Sequence, residues 1–331
     1  MSHLWQAIHR VDDPQLAAHA AFVFTSLYQR VTKLSEFRFW GGSGNTARFN
    51  VPFIFNESNV FVTFERKART IQDHLATTAT HYRASTVIVN ASATRLSYLP
   101  DESVDFIFTD PPFGANINYS EMNLLWESWL GDFTDTQDEA IVNRVQGKDV
   151  SDYGRLMFES LAECYRVLRP NHWLVVMFMN TSARVWEALR AAIVQAGFEI
   201  RQVDSFDKQH ATFKQFVSEN AAGEDLVIHC FKPAGAPSVR PTLSAAAPFE
   251  SVKAFLRTID PARRVVVYLH VGREEEIDMR QLYSDWMAMA VKDGIAPLGF
   301  ADFRSVVQEY LRGEQHTGLH ADATRSEPDA E

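Results

Sequence analysis

The chain has 331 residues, 46% of them hydrophobic and 12% aromatic, enough to bury a large core in one large domain or two. No run of about 18 apolar residues and no charged-then-apolar N-terminal layout is present, which predicts a soluble, unsecreted, cytoplasmic chain that neither enters nor crosses a membrane. A net charge of −10 argues against a general polyanion binder, because duplex affinity rests on phosphate neutralisation; basic residues still recur at Arg144, Lys148, Arg201, Lys208 and Lys214, where a local groove can form.

In chain order, Leu4, Ile8, Leu16, Ala20, Phe24, Leu27 and Val31 fall at helical spacing, with Pro14 opening a second helix. Gly41-Gly42-Ser43-Gly44 marks a flexible turn, followed by an extended stretch with Pro52 and a predicted strand, Asn59 to Phe64. Residues 66–80 read as a helix. Thr86 to Ala93 is an apolar stretch ending in small polar residues, predicted as a strand, and Val104 to Thr109 is a second strand running straight into Asp110-Pro111-Pro112-Phe113. Leu124, Leu125, Trp126 and Trp129 have the spacing of a helix whose apolar face is core rather than a wedge for DNA. A helix closes at Tyr165 to Pro170, Trp173 to Phe178 is a third strand and Asp225 to Phe231 a last one. Domain boundaries are expected at 1–80 for a helical and extended N-terminal region, 81–235 for the central α/β part, 236–249 for a linker, 250–313 for a small mostly helical domain with a strand at Arg264 to Val271, and 314–331 for a polar disordered tail.

Asp110 to Phe113 is the segment that names a chemistry. Two prolines fix φ and remove two backbone donors, so carbonyls beside a carboxylate are left to accept hydrogen bonds from something other than a ladder. An aromatic ring follows. A planar exocyclic amine on a nucleobase would find acceptors in its own plane and a π-face for stacking. A simple strand-ending turn is the plainer reading of the same four residues. Cys164 and Cys230 sit in apolar surroundings and are expected to be inert, and no His/Cys cluster has metal spacing, so no metal is expected.

The order strand, turn, strand with Asp-Pro-Pro-Phe, helix, Leu-Arg-Pro turn and strand resembles the second half of an S-adenosylmethionine-dependent methyltransferase. More narrowly it resembles the DNA amino-methyltransferases of adenine N6 or cytosine N4. The resemblance covers residues 1–235 and only the second half of such an enzyme. It implies an α/β Rossmann-like sheet, incomplete here, with N-terminal helices and a small helical C-terminal domain. It implies Asp110, Pro111, Pro112 and Phe113 as catalytic residues, and Asn90, Ala91, Thr109 and Asp110 against S-adenosylmethionine. Asn90 departs from the acid that such families often carry. Asn116, Asn118, Tyr119, Lys208 and Lys214 are the expected contacts to DNA and to a flipped-out base, with capping or turn roles open for the two asparagines. Asp rather than Ser at the first motif position goes with adenine. Strands ending at Asn90, Asp110 and Asn180 are expected side by side.

Such an enzyme needs a glycine-rich turn between a strand and a helix. Gly41 to Gly44 followed by Glu65 offers one match, but the flanks alternate charge and aromatic and carry Pro52, which favours a surface hairpin or linker. The implied partners are therefore DNA and a second chain carrying the glycine-rich half. A silent half-site subunit of a restriction or phage-defence system, or an RNA or protein amino-methyltransferase, are the alternative functions.

Overall fold

The computed structural model describes residues 1–37, 43–44, 51–79, 85–115, 117–206, 225–235, 247–259 and 273–323. The chain divides into two compact units, one of Met1–Asn90 with Ile117–Glu139, the other of Ala91–Asn116 with Ala140–Glu331. Lys208, Lys214 and Asn116, and the strand expected at Arg264 to Val271, lie outside the described residues.

The first unit is helical. Helices α1 (Ser2–Ile8) and α2 (Pro14–Thr25) bury Leu4, Ile8 and Phe24, and short α3 (Tyr28–Val31) follows. Asp13 starts α2 by accepting from the Gln15 and Leu16 amides, with Pro14 already holding a helical φ. Strands β1 (Glu36–Phe37) and β2 (Ser43–Gly44) pair antiparallel, while Gly41 and Gly42 lie outside the described residues. The strand expected at Asn59 to Phe64 is instead the start of helix α4 (Val60–Ala79). The Asn59 side chain accepts from the Phe61 and Val62 amides, and Val60 and Phe64 pack on the Leu4–Phe24 cluster; capping and burial on a helical stripe outweigh the β preference of Val and Phe. Helix α5 (Tyr119–Leu130) sets half-buried Trp129 against Trp5 and Phe24 of that cluster, and half-buried Trp126 against Tyr28, while Leu124, expected in the core, is exposed.

The second unit holds a four-stranded sheet in the order β3-β4-β6-β5, with β3 (Val104–Thr109), β4 (Leu168–Phe178), β5 (Glu199–Phe206) and β6 (Asp225–Phe231). β3 and β4 are parallel, while β6 runs antiparallel to both β4 and β5. Helices α6 (Val150–Val167) and α7 (Ala183–Gln195) supply the connections into β4 and β5. The face bearing Leu174, Val176, Phe178, Leu226, Ile228 and Cys230 is closed over by Tyr153, Leu161, Trp186, Leu189 and Ile193.

Helices α8 (Pro248–Thr258), α9 (Arg273–Asp293) and α10 (Phe300–Ala323) do not form a separate domain. Val252, Leu256, Tyr283, Trp286, Phe300 and Phe303 are buried in the same cluster as the sheet, and Arg190 of α7 donates to the Val291 carbonyl at 3.3 Å. Such amphipathic helices bury their apolar stripes on the nearest available core. Residues 314–323, expected to be disordered, continue α10.

Thr86 to Ala93, expected as a strand, pairs with none of the described residues. Val87 and Ile88 are 83% and 93% exposed. A parallel strand needs neighbours to bury both its faces, and none is present among the described residues. The same holds in part for β3, whose Phe106 and Phe108 are 55% and 57% exposed and whose partner among the described residues is β4 alone.

The loop before β3 is fixed by Arg166. Its guanidinium donates to the Leu96 and Leu99 carbonyls and pairs with Glu163 and Asp101, while Glu163 also accepts from the Leu96 amide. The hydrogen bond from Arg166 holds the Glu163 carboxyl well down, to about 2. Because the folded value lies below the unfolded one, this contribution is full above about pH 4.5 and is lost as pH falls toward 2. Glu163→Gln should therefore flatten urea-denaturation stability across that window; an unchanged slope would show the pair to be idle.

Candidate active site

The turn after β3 is built by three elements of the second unit. Asp110 ends the parallel strand and is exposed, Pro111 is buried, and Pro112 and Phe113 are half-buried. In the first turn of α6, the Tyr153 hydroxyl donates to the Pro112 carbonyl at 2.8 Å. At the end of β4, the Asn180 amide donates to the Phe113 carbonyl at 2.7 Å and accepts from the Ser182 amide at 2.6 Å. Trp186 Nε1 in turn holds the Asn180 carbonyl at 2.8 Å. No described residue donates to the Pro111 carbonyl. The two later carbonyls are thus occupied by described residues, and the Pro111 carbonyl is not.

The ring of Phe113 stands edge-on to Phe178 at 5.4 Å, and Phe178 stands edge-on to Trp186 at 4.9 Å, which anchors the motif to the core. Gly114 has φ +67°, and a Cβ there would lie 3.1 Å from Val185 Cγ1. Only glycine both adopts that backbone and lets α7 approach.

The expected residues are not all brought together. Asp110, Pro111, Pro112, Phe113 and Thr109 share the C-terminal end of β3, the end where ligands of open α/β sheets bind, and Asn180 lies at the end of the adjacent β4. Asn90 does not join them on a strand. It is exposed, belongs to the first unit, and donates to Asp132 there at 3.1 Å. Ala91 is likewise outside any strand. Asn118 precedes α5 without a side-chain cap and donates to Glu121, and Tyr119 is the first residue of that helix. Tyr153 escaped sequence reasoning altogether. Its helical position, on the stripe of buried α6 residues, reads as core, and its hydroxyl is the feature that marks it out.

Burial pushes the Cys164 thiol up to about 11 and the Cys230 thiol higher still, so neither is a nucleophile. Among the described residues no group of His, Cys, Asp or Glu is arranged to hold a metal ion, and no helix is long and apolar enough to cross a membrane.

No protein-family model and no curated protein matches the sequence. Among solved structures, a candidate DNA modification methylase from Thermus thermophilus aligns at 15% identity and TM-score 0.24, over 54% of this chain and 62% of that one, so this chain spans less than two thirds of that protein in the alignment. The same protein complexed with S-adenosyl-L-methionine aligns at 14% identity and TM-score 0.26, covering 67% and 91% of the two chains. The PvuII DNA methyltransferase, cytosine-N4-specific, aligns at 12% identity and TM-score 0.31, covering 67% and 91%. The [4+2]-cyclase SpnF aligns at 14% identity and TM-score 0.27, covering 68% and 85%. Likenesses this loose do not discriminate among chemistries.

Proposed function

We propose that this chain is the catalytic half of an S-adenosylmethionine-dependent DNA methyltransferase that modifies adenine N6. The observation that carries the reading is the turn at Asp110. A carboxylate closes a strand, the next carbonyl has no donor among the described residues, and the following two carbonyls are taken by Tyr153 and Asn180. An exocyclic amine conjugated to a purine is a poor nucleophile because its lone pair is delocalised. Asp110 and the Pro111 carbonyl, each accepting one N–H, draw that nitrogen toward tetrahedral geometry and localise the lone pair. Their contribution is positioning and stabilisation of developing positive charge. A base within a duplex cannot reach them, so it must leave the stack. The half-buried ring of Phe113, held edge-on by Phe178, is the aromatic face that we assign to stacking on that base.

The cofactor supplies an electrophilic methyl group. The residues present suit one side of it, Thr109 and Asp110 at the strand end. Among the described residues no glycine-rich turn leads into a helix, Gly41 and Gly42 lying outside them, and we assign the glycine-rich half of the cofactor site to a second chain. A second chain carrying that half fits the partly exposed β3. Adenine is favoured over cytosine by Asp at the first motif position and by the stacking face of Phe113, which a purine covers more fully.

The test supplies methyl-labelled S-adenosylmethionine and duplex DNA to the chain, alone and with a polypeptide bearing the glycine-rich half, followed by mass spectrometry of nucleosides. N6-methyladenine in the mixture is the expected result. N4-methylcytosine reverses the base; label on RNA or protein instead of DNA moves the assignment to the other amino-methyltransferases; no transfer in any mixture leaves the silent-subunit reading. By titration calorimetry the chain alone should bind S-adenosylmethionine weakly or not at all. Micromolar binding would show the cofactor site to be complete in this chain.

A further inference from the structure

The turn at Asp110-Pro111-Pro112-Phe113 has little backbone with which to brace itself. Proline carries no amide, so positions 111 and 112 offer no donor, and the work of fixing the turn shifts to side chains from elsewhere. Two buried side chains do it. The Tyr153 hydroxyl donates to the Pro112 carbonyl at 2.8 Å, and Asn180 Nδ2 donates to the Phe113 carbonyl at 2.7 Å. Tyr153 is 0% exposed and Asn180 4%.

Each anchor is itself held from its far side. Asn180 Oδ1 accepts from the Ser182 amide at 2.6 Å and the Asn180 carbonyl from Trp186 Nε1 at 2.8 Å, so both ends of the residue are tied to the start of α7. Tyr153 stands in the first turn of α6, which runs back along β3. At the other end of that helix the Arg166 and Val167 carbonyls accept from the Glu102 and Ser103 amides at 3.0 and 2.9 Å. The Arg166 guanidinium adds its hold on the Leu96 and Leu99 carbonyls. Helix α6 is therefore fastened at both ends of β3, a strut whose first turn carries the hydroxyl. Packing asks less of these positions. A phenyl ring at 153 would fill the same buried stripe of α6, and a hydroxyl buried there costs its hydration unless it is hydrogen-bonded.

We infer that Tyr153 and Asn180 are positioning residues for methyl transfer, holding the Pro112 and Phe113 carbonyls so that the Asp110 carboxylate keeps one place against the incoming amine. The inference rests on the DNA-methyltransferase reading and deepens it. Neither side chain touches the reacting atoms in this scheme; both act through the turn. Their value is orientation, which a rigid mount supplies before the base arrives and which a loose turn would have to find at each encounter.

The test uses the chain mixed with the polypeptide bearing the glycine-rich half, duplex DNA and methyl-labelled S-adenosylmethionine, with kcat and KM measured per folded molecule. Tyr153→Phe keeps the buried ring and removes the hydroxyl. Asn180→Asp keeps the acceptor for Ser182 and turns an oxygen toward the Phe113 carbonyl. Each should lower kcat by about 10- to 100-fold with KM for DNA and cofactor changed less than about twofold, since a misplacement of about 1 Å costs about 100-fold in rate. The double variant should fall within about threefold of the less active single variant, because both residues hold one turn. In an Asp110→Ala background the Tyr153→Phe loss should shrink to less than about threefold, because a residue that acts through the carboxylate has nothing left to position. Hydrogen exchange over residues 110–115 gives a reading free of catalysis: faster exchange there, with α6 and β4 unchanged, is expected. If Asn180→Asp does not fold, Tyr153→Phe alone decides. Full kcat in Tyr153→Phe, a loss confined to KM, a loss undiminished in the Asp110→Ala background, or exchange that rises throughout the second unit would overturn the positioning role and leave the enzymatic reading standing. No transfer by the wild-type mixture would overturn both.

Discussion

Asp110→Ala should lower methyl transfer by a factor of about 100 to 1000 or more, with DNA affinity changed by less than about threefold. Removing one preorganised group that stabilises developing charge costs about that much in rate, and an interaction made mainly in the transition state leaves ground-state binding alone. The carboxylate is exposed at a strand end, so stability should stay within about 0.5 kcal/mol of wild type. Asp110→Asn keeps an acceptor oxygen and loses the charge, so it should fall between the two. Single-turnover transfer and anisotropy on the same preparations separate rate from binding. Near-full activity in the alanine variant would remove Asp110 from the chemistry. A fall in rate that tracks a fall in melting temperature would make it a structural residue.

The largest expected loss of stability is at Phe178. Its side chain is 0% exposed and stands edge-on to both Phe113 and Trp186. Phe178→Ala should cost about 3–5 kcal/mol through lost transfer energy and the cavity left behind, with each aromatic pair adding about 0.5–1.5 kcal/mol to what area alone gives. The variant has a second signature. Phe113 loses the ring it rests on, so the Asp110 turn should loosen and methyl transfer should drop beyond the loss of folded protein. Phe178→Leu fills most of the space and should recover stability better than rate. Urea denaturation followed by intrinsic fluorescence gives the first quantity, and rate per folded molecule gives the second. A loss under about 1 kcal/mol would mean that the site is not anchored through this ring.

The strand end and turn at Asp110 were legible in the sequence because their information is local. Asp110, Pro111 and Pro112 set a strand end and two fixed φ angles without help from any distant residue. The strands at Val104–Thr109 and Asp225–Phe231, and the strand-end position of Asn180, follow from short apolar β-rich segments bounded by turns. Periodicity is also enough for α2 and α5, whose apolar positions recur at helical spacing and whose ends carry caps or glycine.

Elsewhere the tertiary structure decided. Asn59 to Phe64 has the composition of a strand, yet a side-chain cap and a waiting apolar cluster make it the start of α4. Thr86 to Ala93 has the composition of a buried strand and is not one, because strand identity in a parallel sheet depends on neighbours that the described residues do not supply. The helices after Pro248 look like a domain of their own in sequence. Only packing shows that Trp286, Tyr283 and Phe303 complete the core beneath the sheet. Tyr153 and Asn180 lie 41 and 67 residues from the carbonyls they hold, and no local pattern announces such a bond. A sequence therefore states which groups stand at a strand end, whereas the side chains that occupy the Pro112 and Phe113 carbonyls are chosen by the fold, because hydrogen-bond partners distant in sequence meet only once the sheet and its helices have packed.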